Sequence, residues 1–339
     1  ECMKSKGLSD SAINLVKRTL NDPKPMILTH WLETNEKDHT IPYNAYSTIK
    51  DIDYDLPMAM LEQYEAVTKL VKSKLQTGNY THLIIACSGW NNYQDDSTKL
   101  YENWVNFTKD AAIADDRGND FRPFLIGFTW ASRWITPGVS IFNKANDADE
   151  LGMTHVNALL WKYILPSIAK SNIPIITIAH SFGARIMSRA NHSRFMQGNV
   201  DHSTWISKAI DFQGAYPYSR YCEKKGNNGG LYTVDIPVRK HFMTCSEFDY
   251  AIKTPKWSAG YIGDYKSSHV LQNDPVAKNN FEFTSLNDSG RLNSYSGEKS
   301  KIMVDAKSII NTILTKAAGA HNDVQDKEAG QLIWEVLKK

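Results

Sequence analysis

The chain has 339 residues, of which 42% are hydrophobic and 22% charged, a composition typical of a globular protein and not of a disordered or collagen-like one. Its 39 Lys and Arg against 37 Asp and Glu give a net charge of +2, so no strong field attracts nucleic acid or an anionic membrane. No apolar run reaches the ~20 positions that a membrane-spanning helix needs, which excludes an integral membrane protein.

The first 56 residues are less regular than the rest, and we expect them to form an N-terminal extension packed on the main domain. Within them, the pattern predicts a short helix over residues 9–20 and a strand over 25–31. The sequence begins with Glu1 rather than Met, which indicates that processing or cloning removed a segment and hides any targeting signal. The expectation is a soluble protein, with export left open.

From residue 57 onward, strand-like and helix-like segments alternate, the pattern that builds a parallel sheet with helices on both faces. The predicted helices span residues 57–74, 97–112, 149–170, 182–190 and 326–338, and the predicted strands span 83–87, 121–130, 173–178, 208–214, 239–245 and 300–305. The predicted fold class is therefore α/β, with a mostly parallel central sheet and one main domain over residues 57–339.

Two stretches of the main domain have the composition of insertions. Residues 216–232 contain three glycines, and residues 253–293 are rich in Gly, Ser, Asn and aromatic side chains. Such segments favour turns and long loops over regular elements. Either insertion is a candidate for a lid over a binding site.

Four cysteines are too few for a disulfide scaffold. Cys87 and Cys245 lie inside apolar, strand-like runs, where a reduced thiol packs as a small hydrophobic group. Cys2 and Cys222 lie in polar contexts, and they could pair in an oxidising compartment. Their spacing alone does not establish a disulfide.

The most informative segment is residues 173–185, IPIITIAHSFGAR, which predicts a buried strand, a tight turn and a helix around Ser181. A serine hydroxyl is a poor nucleophile until a base removes its proton, and such a turn lifts it clear of the sheet toward a base. The crowded turn demands small neighbours, which Ala179 and Gly183 supply. The helix N-terminus also favours developing negative charge. The segment therefore predicts Ser181 as a nucleophile.

At this segment the sequence resembles the α/β-hydrolase superfamily, and more narrowly its lipase-like and esterase-like bacterial branches, from about residue 80 onward. The resemblance implies the α/β-hydrolase fold and the chain order of oxyanion loop, nucleophile, acid and histidine. Residues 83–92 are similar to the family's oxyanion strand and its His-Gly-aromatic-Asn-Asn turn, with Ser88 in place of His. The resemblance assigns the backbone amides of Trp90 and Phe182 to the oxyanion hole.

The resemblance also supplies the acid and the base. Asp249 follows the strand 239–245 in a turn similar to the family's Ser-x-x-Asp turn, with Glu247 as a close alternative and Asp211 as a further one. The carboxylate of such a pair fixes the histidine tautomer and stabilises the imidazolium. His321, in the loop before the last helix, matches the family's base.

Residues 124–134 are similar to a strand-end Trp-x-Ser element of the same branch, whose Trp130 and Trp134 we expect to wall an acyl or alcohol pocket.

The histidines other than His321 have structural interpretations; His180, beside the nucleophile, is expected to pack or hydrogen-bond and not to take the proton. The acidic residues near His321 are typical of a helix start and not of a ligand cluster. The prediction is no metal and no cofactor.

These features together predict a serine hydrolase, esterase-like or lipase-like, that cleaves a carboxylic ester or related acyl bond of a small-molecule or lipid-like substrate. Thioester, amide or acyl-transfer chemistry would use the same groups. The alternative is a catalytically silent protein of this fold that only binds. Ser88 in place of His favours the alternative. The presence of Ser181, Asp249 and His321 in the chain order of nucleophile, acid and histidine argues against it. The sequence indicates no oligomeric state.

Overall fold

A computed structural model describes residues 26–29, 55–130, 132, 137–198, 201–221, 236–253, 260–275, 277–311 and 319–338. The helix predicted over residues 9–20 lies outside these ranges, as do Cys2, Cys222 and Trp134. Of the strand predicted over 25–31, residues 26–29 are described, and they form a strand.

Within the described part of the chain, eight strands form one sheet, and every pairing between neighbours is parallel. Their order across the sheet is β1-β3-β2-β4-β5-β6-β8-β7. The strands are β1 Met26–Thr29, β2 His82–Cys87, β3 Pro123–Thr129, β4 Ile175–His180, β5 Ile206–Phe212, β6 Val238–Cys245, β7 Phe281–Ser285 and β8 Lys301–Asp305. The predicted fold class, an α/β fold with a mostly parallel central sheet, is confirmed.

Helices lie in most of the connections between the strands. They are α1 Asp55–Thr77, α2 Gln94–Ala114, α3 Pro137–Leu151, α4 Leu165–Ile168, α5 Phe182–Met196, α6 Tyr250–Lys253, α7 Tyr265–Asn273, α8 Ala277–Asn280 and α9 Lys327–Leu337. Two π-helical segments, Gly152–Val156 and Ala158–Ile164, join α3 to α4. The helix predicted over 149–170 is therefore the second part of a longer helical stretch.

Each face of the sheet is covered by its own hydrophobic core. Successive side chains of a strand point to opposite faces of the sheet. On one face, Ile85 of β2 packs with Leu160 and with apolar side chains of α1 and α5. Ile84 packs on the opposite face with Trp104 of α2 and Trp334 of α9. A parallel sheet buried on both faces needs strands that are apolar throughout, which is why the central strands were predictable from their sequences.

The second insertion contains regular structure that the sequence did not predict. Helices α7 and α8 lie within it, and β7 pairs in parallel with β8 at one edge of the sheet. Only Phe281 of β7 is fully buried, because an edge strand has a partner on one side alone and alternates apolar with polar residues. It therefore lacks the continuous apolar run that identified the central strands.

Cys87 and Cys245 are buried free thiols, as predicted. Burial raises the pKa of both, that of Cys245 to about 12. Across the residues described, no helix combines the length and the apolar character that crossing a bilayer requires.

Candidate active site

Ser181 occupies the turn between β4 and α5, at the carboxyl edge of the sheet. Its backbone has φ +56° and ψ −120°, a region that side chains other than glycine rarely adopt and that stores strain. Two hydrogen bonds hold it there: the Ser181 amide donates to Phe212 O at 2.9 Å, and Ser181 O accepts from Ala215 N at 3.0 Å. The strained turn is the backbone geometry expected of a strand-to-helix nucleophile.

Two glycines allow neighbouring backbone to approach this turn. A Cβ on Gly183 would overlap the carbonyl oxygen of Cys87, so α5 packs directly on the end of β2. A Cβ on Gly89 would lie 2.8 Å from Ser181 Cβ and 3.2 Å from His180 Nδ1. The loop after β2 therefore lies against Ser181 without an intervening side chain.

The first residue of that loop, Ser88, is held by buried side chains. Its amide donates to Tyr101 Oη at 2.7 Å, and its carbonyl accepts from Trp130 Nε1 at 3.0 Å. The hydroxyls of Ser88 and Ser97 lie 2.6 Å apart, and Tyr101 Oη in turn donates to Phe128 O at 2.5 Å. Ser88, which stands where the resemblance predicts a histidine, is thus fully hydrogen-bonded.

The other end of the loop is anchored on Ser132. Asn91, with φ +65°, donates its amide to Ser132 O at 3.3 Å, and the Asn92 amide donates to Ser132 Oγ at 3.0 Å. Asn92 Nδ2 also donates to Gly89 O at 3.2 Å. Between these anchors, no described residue accepts a hydrogen bond from the amide of Trp90.

Phe182 is the first residue of α5. The first amides of a helix have no acceptor within the helix, so the Phe182 amide lies next to Ser181 with its hydrogen-bonding capacity unused by α5. The two amides predicted for the oxyanion hole therefore come from the two elements that flank Ser181.

His321 and Asp249 lie together, although 72 residues separate them in sequence. His321 Nδ1 is 2.7 Å from Asp249 Oδ2, and Asp249 is fully buried, whereas the imidazole is 12% exposed. The second carboxylate oxygen accepts from the amides of Ala251 and Ile252 at 3.0 and 3.2 Å. Because a carboxylate accepts hydrogen bonds, it keeps a proton on Nδ1 and leaves Nε2 as the basic nitrogen.

The two alternative acids lie elsewhere. Glu247 has a side chain 45% exposed and lies 3.8 Å from Lys307 Nζ. Asp211 is buried, but its Oδ2 contacts His241 Nε2 at 2.8 Å and Ser188 Oγ at 2.9 Å. Of the three carboxylates weighed from the sequence, Asp249 is the one that the structure brings to His321.

His180 packs against His321, with their ring centroids 4.4 Å apart. Burial, and secondarily the neighbouring His321, lowers the pKa of His180 well below its usual 6.5. The imidazole of His180 is therefore neutral where it packs against His321. Since Ser181 is the next residue in the chain, this contact brings the His321 ring to the turn that carries Ser181.

Of the two tryptophans predicted to wall a pocket, Trp134 lies outside the described residues. Trp130 is 5% exposed, and the hydrogen bond from its indole to Ser88 O gives it a contact that the sequence did not predict. Its role as a pocket wall stays a prediction. Among the described residues, no group of three or more His, Cys, Asp or Glu side chains is arranged to hold a metal ion.

A buried ionic cluster fixes the segment that follows Ala215. Asp149 accepts from Arg185 Nε and Nη2 at 3.0 and 2.7 Å, and from both terminal nitrogens of Arg220 at 2.9 Å. Burial alone would raise the pKa of Asp149, but the charges of Arg185 and Arg220 outweigh it and lower that pKa. The cluster therefore ties residues 215–221 to α3 and α5.

Three residues near the site were missed or undervalued in the sequence: Tyr101, His180 and Gln213. Tyr101 lies on the apolar side of a predicted helix, which signals burial but not the contact of its hydroxyl with Ser88. His180 is signalled only by its place before Ser181. No sequence pattern indicates Gln213, because its place beside Ser181 depends on strand register and backbone conformation.

Together, the fold and the site define an α/β protein with serine, histidine and aspartate side chains at the carboxyl edge of a parallel sheet. No protein-family model and no curated protein matches the sequence.

Solved structures of phospholipase PlaB from Legionella pneumophila are similar to part of the chain. The first has 12% identity and a TM-score of 0.32, and covers 62% of this chain and 47% of PlaB. The second, a complex with thio-NAD, has 11% identity and a TM-score of 0.28, and covers 61% and 46%. The chain thus spans about half the length of the structures that it matches.

Proposed function

We propose that this protein is a serine hydrolase that cleaves a carboxylic ester or a related acyl bond through an acyl-enzyme. Ser181 is the nucleophile, His321 the general base and acid, and Asp249 the carboxylate that orients His321. The amides of Trp90 and Phe182 form the oxyanion hole, and Trp130 and Trp134 belong to the substrate pocket. The substrate is a small-molecule or lipid-like ester, and no metal or cofactor takes part.

The observation that carries this proposal is the 2.7 Å hydrogen bond between His321 Nδ1 and Asp249 Oδ2. Burying a carboxylate is costly unless hydrogen bonds compensate it, and Asp249 is fully buried with both oxygens engaged. The arrangement presents an oriented imidazole beside a strained serine turn. This combination favours a serine hydrolase over a protein that only binds.

The reaction runs in two halves. In the first, Ser181 Oγ attacks the carbonyl carbon while His321 Nε2 takes the serine proton, and the amides of Trp90 and Phe182 stabilise the oxyanion. The carbon–oxygen bond to the leaving alcohol then breaks, and His321 returns the proton to that alcohol. In the second half, water attacks the acyl-enzyme, His321 takes a proton from the water and returns it to Ser181 Oγ, and the acid departs.

A fluorophosphonate probe tests the proposal, because it reacts covalently with an activated serine. We expect stoichiometric labelling of Ser181 in the folded protein and no labelling of Ser181→Ala. Ser193→Ala is the matched control: Ser193 lies on the same helix, is buried, and has no hydrogen-bond partner for its hydroxyl within the described residues. This variant should be labelled like the unmodified protein.

Two results would overturn the proposal. Folded protein that resists the probe would favour the silent binding protein. Labelling that persists in Ser181→Ala would place the reactive serine elsewhere. Circular dichroism and thermal melting of each variant establish that the protein is folded before labelling is compared.

A further inference from the structure

Gln213 follows β5 just as Ser181 follows β4. The two strands pair in parallel with His180 opposite Phe212, so that Gln213 is the next residue in register beside Ser181. Neighbouring strands lie about 4.8 Å apart. The hydrogen bonds from Ser181 N to Phe212 O and from Ala215 N to Ser181 O bracket Gln213. Gln213 is therefore the immediate lateral neighbour of Ser181 on the side of the acid-bearing strand β6.

The backbone of Gln213 is held in an unfavourable conformation. Its φ is +41°, outside the range that a residue with a side chain normally adopts. Its amide donates to Thr244 Oγ1 at 3.0 Å, and a Cβ on Gly263 would overlap its carbonyl carbon, so backbone packs directly against it. Backbone strain of this kind persists where the surroundings impose it, and it clusters at functional sites.

The side chain of Gln213 is fully buried and has no partner. Its exposed fraction is 0%, and within the described residues neither Oε1 nor Nε2 makes a hydrogen bond. Native proteins pair nearly all such groups, because an unpaired buried amide loses its hydration without compensation. A leucine or methionine would fill the same space at lower cost. Within the described residues, the hydrogen-bonding capacity of this amide is therefore unused.

The chemistry of that ligand follows from the site. A primary amide both donates and accepts hydrogen bonds, and a hydroxyl group matches it in both respects. The buried carboxylate of Asp249 follows the neighbouring strand β6 and disfavours an anionic group. Because Gln213 is the lateral neighbour of Ser181, the matching substrate carries its hydroxyl close to the reacting carbonyl, on the first or second carbon beyond it.

We propose that Gln213 determines substrate specificity, and that its amide binds the hydroxyl of a 2-hydroxyacyl or 3-hydroxyacyl ester whose carbonyl is attacked by Ser181. This inference rests on the proposed function. A site built to hydrogen-bond a hydroxyl discriminates strongly against an analogue that lacks it, since the buried amide is then left unpaired. Plain hydrocarbon acyl esters are accordingly poor substrates.

The test compares esters that differ only by a hydroxyl in place of a methyl group. The pairs are ethyl 3-hydroxybutyrate with ethyl 3-methylbutyrate, and ethyl 2-hydroxypropanoate with ethyl 2-methylpropanoate, each chiral ester assayed as separate enantiomers. We expect kcat/KM of the unmodified protein to favour the hydroxyacyl ester of at least one pair by ten-fold or more. In Gln213→Met, which keeps the length of the side chain, that ratio should fall to within about two-fold.

Gln213→Asn is the second variant, because asparagine tolerates positive φ and its side chain is one methylene shorter. Its ratio of kcat/KM for the hydroxyacyl ester to kcat/KM for the methyl analogue should fall between the ratios of the unmodified protein and Gln213→Met. Fluorophosphonate labelling separates the two proposals. If the unmodified protein is not labelled, the proposed function fails. If labelling is normal but both esters of each pair react equally, or if Gln213→Met slows both by the same factor, the specificity role of Gln213 is wrong.

Discussion

The two flanks of Ser181 are built differently. On the β2 flank, residues 88–92, buried hydroxyl and indole groups hold the loop at both ends and leave the Trp90 amide without an acceptor among the described residues. On the β5 flank, residues 213–215, the backbone is held as firmly, but the side-chain amide of Gln213 has no partner there.

This difference separates two tasks. The reacting carbonyl of every acyl substrate is the same, so the donors that meet its oxyanion can be fixed in advance by the protein. The rest of the substrate differs from one ester to another. In our proposal, its polar group forms a hydrogen bond with a side chain that has no partner among the described residues. In our proposals, therefore, the β2 flank serves the reaction of every acyl substrate, and the β5 flank selects among substrates.

The largest expected effect concerns Asp249, the carboxylate that we propose orients His321. Asp249→Asn keeps the shape of the side chain but favours the wrong tautomer of His321, and we expect kcat/KM to fall by roughly 10⁴-fold. Glu247→Gln is the matched control, because Glu247 is the neighbouring acid and lies on the surface; its activity should change by less than about two-fold. A large loss in Glu247→Gln with little loss in Asp249→Asn would reassign the acid.

A smaller effect is expected from the β2 flank. Tyr101→Phe removes the hydroxyl that joins Ser88 N to Phe128 O and leaves the Ser88 amide without its acceptor, which should lower the free energy of unfolding by about 1–3 kcal/mol. The loosened loop aims the Trp90 amide less accurately, so kcat should fall by roughly 10–100-fold. KM should change little, because the substrate ground state gains little from the oxyanion hole.

Tyr80→Phe controls for the loss of a tyrosine hydroxyl, since Tyr80 packs against Phe124 near the other end of the sheet. Its kcat should match that of the unmodified protein. Steady-state kinetics and urea unfolding of both variants decide the question. If Tyr101→Phe loses stability but keeps its full kcat, the β2 flank is a structural feature only.

Sequence reasoning succeeded where the chemistry is local. The strand, turn and helix around Ser181 are encoded within residues 173–185, because the apolar run, the small residues and the helix pattern are contiguous. The central strands were found for the same reason. Their ends were misjudged by up to two residues: β4 extends to His180 and β5 stops at Phe212, because the unusual φ values of Ser181 and Gln213 end the strands.

The sequence could not choose among contacts that depend on register. Asp249 and Glu247 are two residues apart, and only the turn after β6 determines which of them faces His321. Likewise, Asp211 contacts His241 because β5 and β6 pair with Ala209 opposite His241, a relation invisible in either strand alone. Tertiary geometry, and not composition, also gives Gln213 its place.

A third prediction tests Ser88, which stands where the resemblance predicts a histidine. Ser97→Ala removes the partner of the Ser88 hydroxyl but leaves the backbone bonds of Ser88 in place. We expect fluorophosphonate labelling to slow by about two- to five-fold, a smaller loss than in Tyr101→Phe, because one neutral hydrogen bond contributes about 1 kcal/mol. Thr98→Ala, one residue along the same helix, should label at the normal rate. Equal losses in Ser97→Ala and Tyr101→Phe would contradict this ranking of the contacts.

The smallest expected effect is on the pH dependence of stability, and it concerns His180, which lies between the flanks. The native state keeps His180 neutral, since burial lowers its pKa well below 6.5, whereas the unfolded chain takes up the proton near pH 6.5. The unfolded state therefore binds more protons below that pH, and stability is lost as the pH falls from 6.5 toward the folded pKa, by at most about 1.4 kcal/mol per pH unit for this group.

His155 provides the comparison, because burial lowers its pKa to about 4 and it contacts Tyr64 on another part of the molecule. In urea unfolding at intervals from pH 7 to pH 5, His180→Asn and His155→Asn should each lose stability less steeply than the unmodified protein. Only His180→Asn should also lower kcat/KM, because His180 alone packs against His321. An unchanged slope in His180→Asn would mean that the pKa of His180 is the same in the native and unfolded states. The imidazole would then take up its proton near pH 6.5 in the native protein, and it could not act as the neutral support between the two flanks.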